Sequence, residues 1–298
     1  MDIKNAIIHR LKELDQPAIT DYDLYMIIFN LYQKGKYQGE TLDVSTRVPL
    51  FNDINNDIIK PMMEIGILDT LKDFSGNRVF RIVVNPYFEA GDIVCSVDPF
   101  AYISHFSAME YHGLTSRIPK ILFLSTPPLK EWAVFAKNKM EKDCADFLGD
   151  YLNGKLPKLT RVKMDTILKK QINQYSSMHR GAFKKIPGRK LRVSTIGRTF
   201  LDMLRKPDFC GGMSHVIEIY SEFGGKYNKL IIGEVDRHGK SIEKARAGYI
   251  LEEYCKISNE KIDEWVTHVQ RGGSRKLNPE LPYYEEFSER WCISVNTD

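Results

Sequence analysis

Apolar residues at Ile3, Ala6, Ile7, Leu11 and Leu14 fall on one face of a helix that Gln16 and Pro17 end. Thr20 or Asp21 can cap a second helix, from Tyr22 to about Tyr32, which Gly35 closes. Residues 39–49 are polar and read as a turn or a short helix. A third helix is predicted over about 52–65, with Ile54, Ile58, Ile59, Met62 and Met63 facing inward. Pro61 lies inside it, so a kink or an earlier break is expected, and Gly66 ends it. The period then changes. Residues 67–71 and 78–83 read as two strands joined by a polar turn over 72–77, which is a hairpin signal.

Residues 85–91 read as a linker, with Pro86 and Gly91. Beyond it, Asp98 can cap a helix with Pro99 at its first position, carrying Phe100, Ile103, Phe106 and Met109 inward and ending before Gly113. The run Ile121 to Leu124, stopped by Thr126, Pro127 and Pro128, predicts a buried strand. A single long helix is expected from Leu129 to about Leu152, and an alternating strand over 158–164. Ser194 can cap a helix through Leu204, in which Arg198 and Asp202 stand four apart and can pair. Helices are then expected over 213–223, 227–236, 241–254 and 260–269, and a final strand over 290–296.

The fold class is α+β. Three short helices followed by a hairpin give the order of a winged helix-turn-helix over residues 1–88. Residues 92–298 form a larger domain, mixed α/β to about 193, mostly helical to about 270, then a loop and a strand. On the third helix, Asn52, Asn55, Asn56 and Lys60 face outward, and asparagine can pair with an adenine edge in two hydrogen bonds. Arg47 before the helix, and Lys72, Arg78 and Arg81 on or near the wing, are placed to meet phosphates. A plain solvated face accounts for the same residues, and modules of this kind also bind proteins.

Charge sharpens the picture. From Lys155 to Lys206 there are fifteen Lys or Arg against two acids, a net +13 in a chain that totals +4, leaving −9 for the rest. Lys169, Lys170, Arg180, Lys184, Lys185, Arg189, Lys190 and Arg192 come in pairs and clusters, with Tyr175, His179 and Phe183 between them. A basic stripe with interleaved rings suits DNA, RNA or an acidic protein. The segment also matches solvated faces paired with acids elsewhere, and the tail offers Glu280, Glu285, Glu286 and Glu289.

Other classes find little footing. No apolar run reaches the roughly 18 residues of a spanning helix, so no membrane partner is expected. The N-terminus is an amphipathic helix rather than a signal peptide, and five scattered cysteines indicate no disulfide framework or zinc ribbon; a reduced, cytoplasmic setting is expected. His105 and His112 are too far apart along a helix to share a metal ion, and no metal or cofactor is expected. The sequence carries no nucleophile elbow, Walker loop, dinucleotide fingerprint or His-Glu-x-x-His. The loop 271–276 is basic and Gly-rich but lacks phosphate-loop spacing. Glu234 and Asp236, near Lys240 and Lys244, are the only candidates for a metal-dependent nuclease site, and they fall in a helical stretch. No enzymatic activity is expected.

With these residues in view, the chain resembles the AbiEi family of antitoxins over most of its length. Its markers are the helices and hairpin of the N-terminus, and the stretch Ile103-Ser104-His105-Phe106-Ser107-Ala108-Met109-Glu110-Tyr111-His112-Gly113-Leu114 with the strand to Thr126. Residues 193–204, with Arg198-Thr199-Phe200-Leu201-Asp202, then Lys244-Ala245-Arg246-Ala247-Gly248-Tyr249-Ile250-Leu251-Glu252 and Leu277-Asn278-Pro279, complete the set. The N-terminal module here is longer than is usual in that family. The resemblance implies an antitoxin of a phage-defence pair with two jobs. Its winged helix represses its own operon at inverted repeats in promoter DNA. Its C-terminal domain counters a nucleotidyltransferase-like toxin without a necessary stable complex. The basic stripe fits added operator contacts or RNA. A non-enzymatic protein that blocks an acidic partner through residues 155–206 is the alternative.

Overall fold

The computed structural model describes residues 1–14, 16–44, 48–74, 79–85, 89–177, 182–269 and 275–297. The chain is mixed α+β, 50% helical and 16% strand. It divides into two compact units: Met1–Ala101, Thr126–Met178 and Lys185–Leu191 form the first, and Tyr102–Ser125, His179–Lys184 and Arg192–Asp298 the second.

In the first unit, helix Ile3–Lys12 starts at Asp2, whose carboxylate accepts the Lys4 N–H, and buries Ile3, Ala6, Ile7 and Leu11. Thr20 caps helix Asp21–Lys34 by accepting the Asp23 N–H, and its hydroxyl returns a bond to the Asp23 carboxylate. The next helix covers 51–64 without a break. A π-turn over Asn55–Ile59 widens the coil just before Pro61, so the ring and the missing N–H are absorbed by a change of register. Strand Val79–Ile82 is the middle of a three-stranded antiparallel sheet, between Ala18–Thr20 and Leu68–Thr70. The strand at 18–20 is too short to show a period, and the sequence reading passed over it.

Three other expectations for this unit are corrected. Residues 86–88 of the expected linker lie outside the described residues, and the stretch from its end to Asp98 is a helix, Ala90–Val97, buried on every side. Asp98 ends that helix rather than starting one, and its carboxylate accepts from the Phe100 N–H, the Thr126 hydroxyl and the Trp132 indole. The long helix is broken: Leu129–Cys144 gives way at Ala145, where φ is 46°, to a 3₁₀ turn and helix Leu148–Asn153. Residues 158–164 are no strand; Leu159, Val162 and Met164 are buried, but the segment joins no ladder. A tight hairpin follows, Thr166–Ile167 with Lys170–Ser176, turning through Leu168 and Lys169 at positive φ.

In the second unit, strand Tyr102–Ile103 lies between Arg192–Ser194 and the strand over residues 121–125. Val193 pairs parallel with Ile103, and Tyr102–Ile103 pairs antiparallel with Ser125 and Leu124. Helix His105–Tyr111 is shorter than expected because Tyr102 and Ile103 are strand. Thr195, rather than Ser194, caps helix Ile196–Arg205. The two helices expected over 213–236 are one of 26 residues, Met213–His238, running straight through Gly224. An added Cβ there would stand 2.8 Å from Cys255 Sγ, so this glycine serves close approach rather than a break. Helices Ser241–Glu253 and Glu260–Val266 and a short hairpin, Phe287–Ser288 with Ile293–Ser294, close the unit. Its core includes Phe200, Tyr220, Ile250, Trp265 and Trp291. Among the described residues no helix is long and apolar enough to cross a membrane.

Candidate nucleic-acid interface

Helix 51–64 turns Ile54, Ile58, Ile59 and Met62 into the core of the first unit. Asn52, Asn56 and Lys60, spaced four apart, are exposed, and Lys60 Nζ donates to Asn56 Oδ1 at 2.9 Å. The stripe offers amide donors and acceptors of the kind that read base edges. Asn55 is half-buried and stands apart from it. The sequence reading left out the acids: Asp53, Asp57 and Glu64 outnumber Lys60 on the same helix. This helix therefore presents amides among acids. Lys72 is exposed beyond strand Leu68–Thr70. Arg81 is half-buried in the middle strand, opposite Asp69 and Ala18. Arg47, Arg78 and Arg180 lie outside the described residues.

The clustered basic residues are divided between the two units. Lys169, Lys170, Lys185, Arg189 and Lys190 belong to the first unit, Lys184 and Arg192 to the second. Lys169 is exposed at the tip of its hairpin with Lys170 half-buried beside it. Lys184 is exposed, its Nζ 5.7 Å from the centre of the Tyr111 ring, and Lys185 and Lys190 are exposed. Arg192 is buried. Arg189 is held in a fork: its Nε donates to Asp92 Oδ1 at 2.9 Å, and one terminal nitrogen donates to Asp92 Oδ2 at 2.6 Å and Glu89 Oε2 at 2.9 Å. The Asp92 hydrogen bonds raise the guanidinium pKa above its ordinary value. Arg198 and Arg205 are likewise drawn into carboxylate contacts, with Asp202 and Glu243. Arginine, whose planar fork matches a carboxylate, is used here to build the fold, while lysine faces water.

This division carries a prediction. Arg189→Ala leaves the buried Asp92 carboxylate without its fork, so urea unfolding should show a loss of about 2 kcal/mol. Lys185→Ala should leave the unfolding midpoint unchanged. Equal midpoints for both variants would return Arg189 to the solvent-facing set.

The remaining candidates have ordinary partners. His105 is fully buried with Nδ1 2.8 Å from Ser104 Oγ, and His112, past the helix end, donates from Nε2 to the Ser194 carbonyl at 2.7 Å. Burial lowers the pKa of both, the Ser194 bond opposing it at His112. Glu234 faces Arg198 at 3.8 Å, and Asp236 accepts from the Trp265 indole at 3.0 Å with Lys244 at 3.6 Å. No group of three metal-ligating side chains is assembled among the described residues. Arg275, at the edge of the basic loop, donates to Ser241 Oγ at 3.0 Å; residues 271–274 lie outside the described set. Nothing in the sequence signals the buried Asp92, which carries no motif and becomes visible only through the groups it binds; Asp98, expected as a helix cap, is instead a buried acceptor. No family model matches the chain, and a search of curated proteins finds no match.

Proposed function

We propose that the chain is a DNA-binding autorepressor and antitoxin of the AbiEi kind, with a winged helix over residues 1–88 that recognises inverted repeats in its own promoter. The observation that carries this reading is the element order of residues 3–82: helix, strand, helix, a short hairpin at 36–41, helix and a second hairpin, with the early strand joined to the second hairpin as a third strand. In this reading Asn52 and Asn56 touch base edges, and Lys72 with the exposed lysines 169, 185 and 190 of the same unit supplies phosphate contacts. The second unit, where the marker stretches 103–114, 193–204 and 244–252 lie, counters a nucleotidyltransferase-like toxin, through RNA or without a stable complex. Glu234 and Asp236 have no catalytic role in it.

A titration of the protein against its own upstream duplex and a scrambled duplex, at two salt concentrations, tests the reading. Selective binding that falls steeply with salt is expected. Asn52→Ala with Asn56→Ala should weaken binding to the upstream duplex by about 10- to 100-fold and leave scrambled-duplex binding unchanged. Equal affinity for both duplexes, or no effect of the double substitution, would overturn the assignment of this helix to base readout.

A further inference from the structure

Within the first unit, helix Leu129–Cys144, helix Leu148–Asn153 and the segment 158–161 enclose an open groove of about 550 Å³. This is the size at which concave surfaces take ligands. Its floor is apolar: Leu129, Trp132, Ala136, Met140, Leu152 and Leu159. Four of these lie on one helix at spacings of three and four, so the groove follows a single helical stripe for three turns. Ala133 and Ala136 keep the stripe shallow at its centre, which lets a second helix axis approach closely. Leu129 is 67% exposed and Leu152 40%, so the groove is open along its length. The floor is also rigid. The Trp132 indole donates to Asp98 at 3.0 Å and packs edge-on against Phe100.

The rim sets the chemistry of the occupant. Lys137, Lys158 and Arg161 stand around the apolar floor against one acid, Glu141, which Lys137 approaches at 3.8 Å. Lys158 and Arg161 are the leading members of the basic segment, and they border the groove. An apolar stripe with a cationic rim complements a helix that carries an apolar seam between acidic flanks.

We infer that this groove is a docking site for an amphipathic helix of another protein, with a leucine-type seam and glutamate or aspartate on both flanks. The seam fills the channel beside Trp132 and Met140. The acidic flanks meet Lys137 on one side and Lys158 and Arg161 on the other. The site is separate from the Asn52–Lys60 stripe, and the inference does not depend on DNA recognition or on antitoxin activity.

The test uses the full chain and two synthetic helical peptides with the same leucine seam, one flanked by glutamates and one by lysines, titrated by fluorescence anisotropy. The glutamate peptide should bind at least about tenfold more tightly than its lysine twin. Ala133→Glu, at an exposed position in the channel, should remove that binding without lowering the melting temperature. Lys158→Glu with Arg161→Glu should turn the preference toward the lysine peptide. Equal binding of both peptides, binding of neither, or an unchanged preference after the charge reversal overturns the inference. A concentration-dependent dimer of the chain that Ala133→Glu dissolves would also overturn it, because a second copy would then be the occupant.

Discussion

Gly248→Ala is expected to destabilise the protein by about 3 kcal/mol, although alanine is the better helix former by about 1 kcal/mol. Gly248 lies within helix Ser241–Glu253, and the three atoms nearest to an added Cβ all belong to the benzene ring of Trp291. They would fall well inside contact distance. Trp291 cannot swing away cheaply: it is 1% exposed, its indole donates to Glu252 at 2.8 Å, and Arg290 stands over its ring while bonding the same carboxylate. The control is Gly233→Ala, in helix Met213–His238, where an added Cβ meets nothing within 4 Å. There the helix term is unopposed, and a gain of about 1 kcal/mol is expected. Chemical denaturation of both variants gives opposite signs if ring contact decides at Gly248. Two shifts of the same sign would show that helix propensity decides at both positions.

The elements that the sequence revealed are those with one wet face. Helix Ile3–Lys12 buries one side and exposes the other, and helix Asp21–Lys34 alternates buried with half-buried positions, so their period and caps are visible in the residue order. The hairpin strands at 68–70 and 79–82 were legible from the change of period and the turn between them. Helix Ala90–Val97 was hidden because it is buried all round. The break at Ala145 was hidden because an alanine at positive φ leaves no trace in composition. Gly224 misled in the other direction, since a glycine chosen for close approach looks the same in a sequence as one chosen for a turn.

The candidate interface shows the same limit. Net charge located the basic segment, but sequence alone could not separate Arg189, bound to a buried Asp92 from about a hundred residues earlier, from Lys185 facing water. The distinction depends on partners distant in the chain. It removes the guanidinium of Arg189, and that of the buried Arg192, from the groups available to a polyanion. Of the clustered residues that are described, it leaves the exposed lysines 169, 184, 185 and 190, which act as point charges without directional preference. Under the proposed function, sequence-selective contact would fall to the amide stripe on helix 51–64 and salt-sensitive attraction to the lysines.

Arg198→Met should be the most damaging single substitution in the second unit, costing about 4 kcal/mol. Arg198 is 1% exposed, donates from Nε to Asp202 Oδ1 at 2.8 Å and lies 3.8 Å from Glu234. Burial works against its charge, and the Asp202 carboxylate, with Tyr102 and Glu234 adding, outweighs it, so its pKa stays above the ordinary value. Removing the guanidinium leaves Asp202 in the core with only Arg205, 3.6 Å away and itself engaged with Glu243 at 3.1 Å. The size of the loss reflects the stranded carboxylate more than the net worth of the pair, because two charges taken out of water together recover little more than their desolvation. Arg198→Met combined with Asp202→Leu should therefore recover most of the stability lost by Arg198→Met alone. Urea unfolding of the single and double variants decides the matter. A double variant as unstable as Arg198→Met would mean that Glu234, rather than Asp202, is what the guanidinium holds in place.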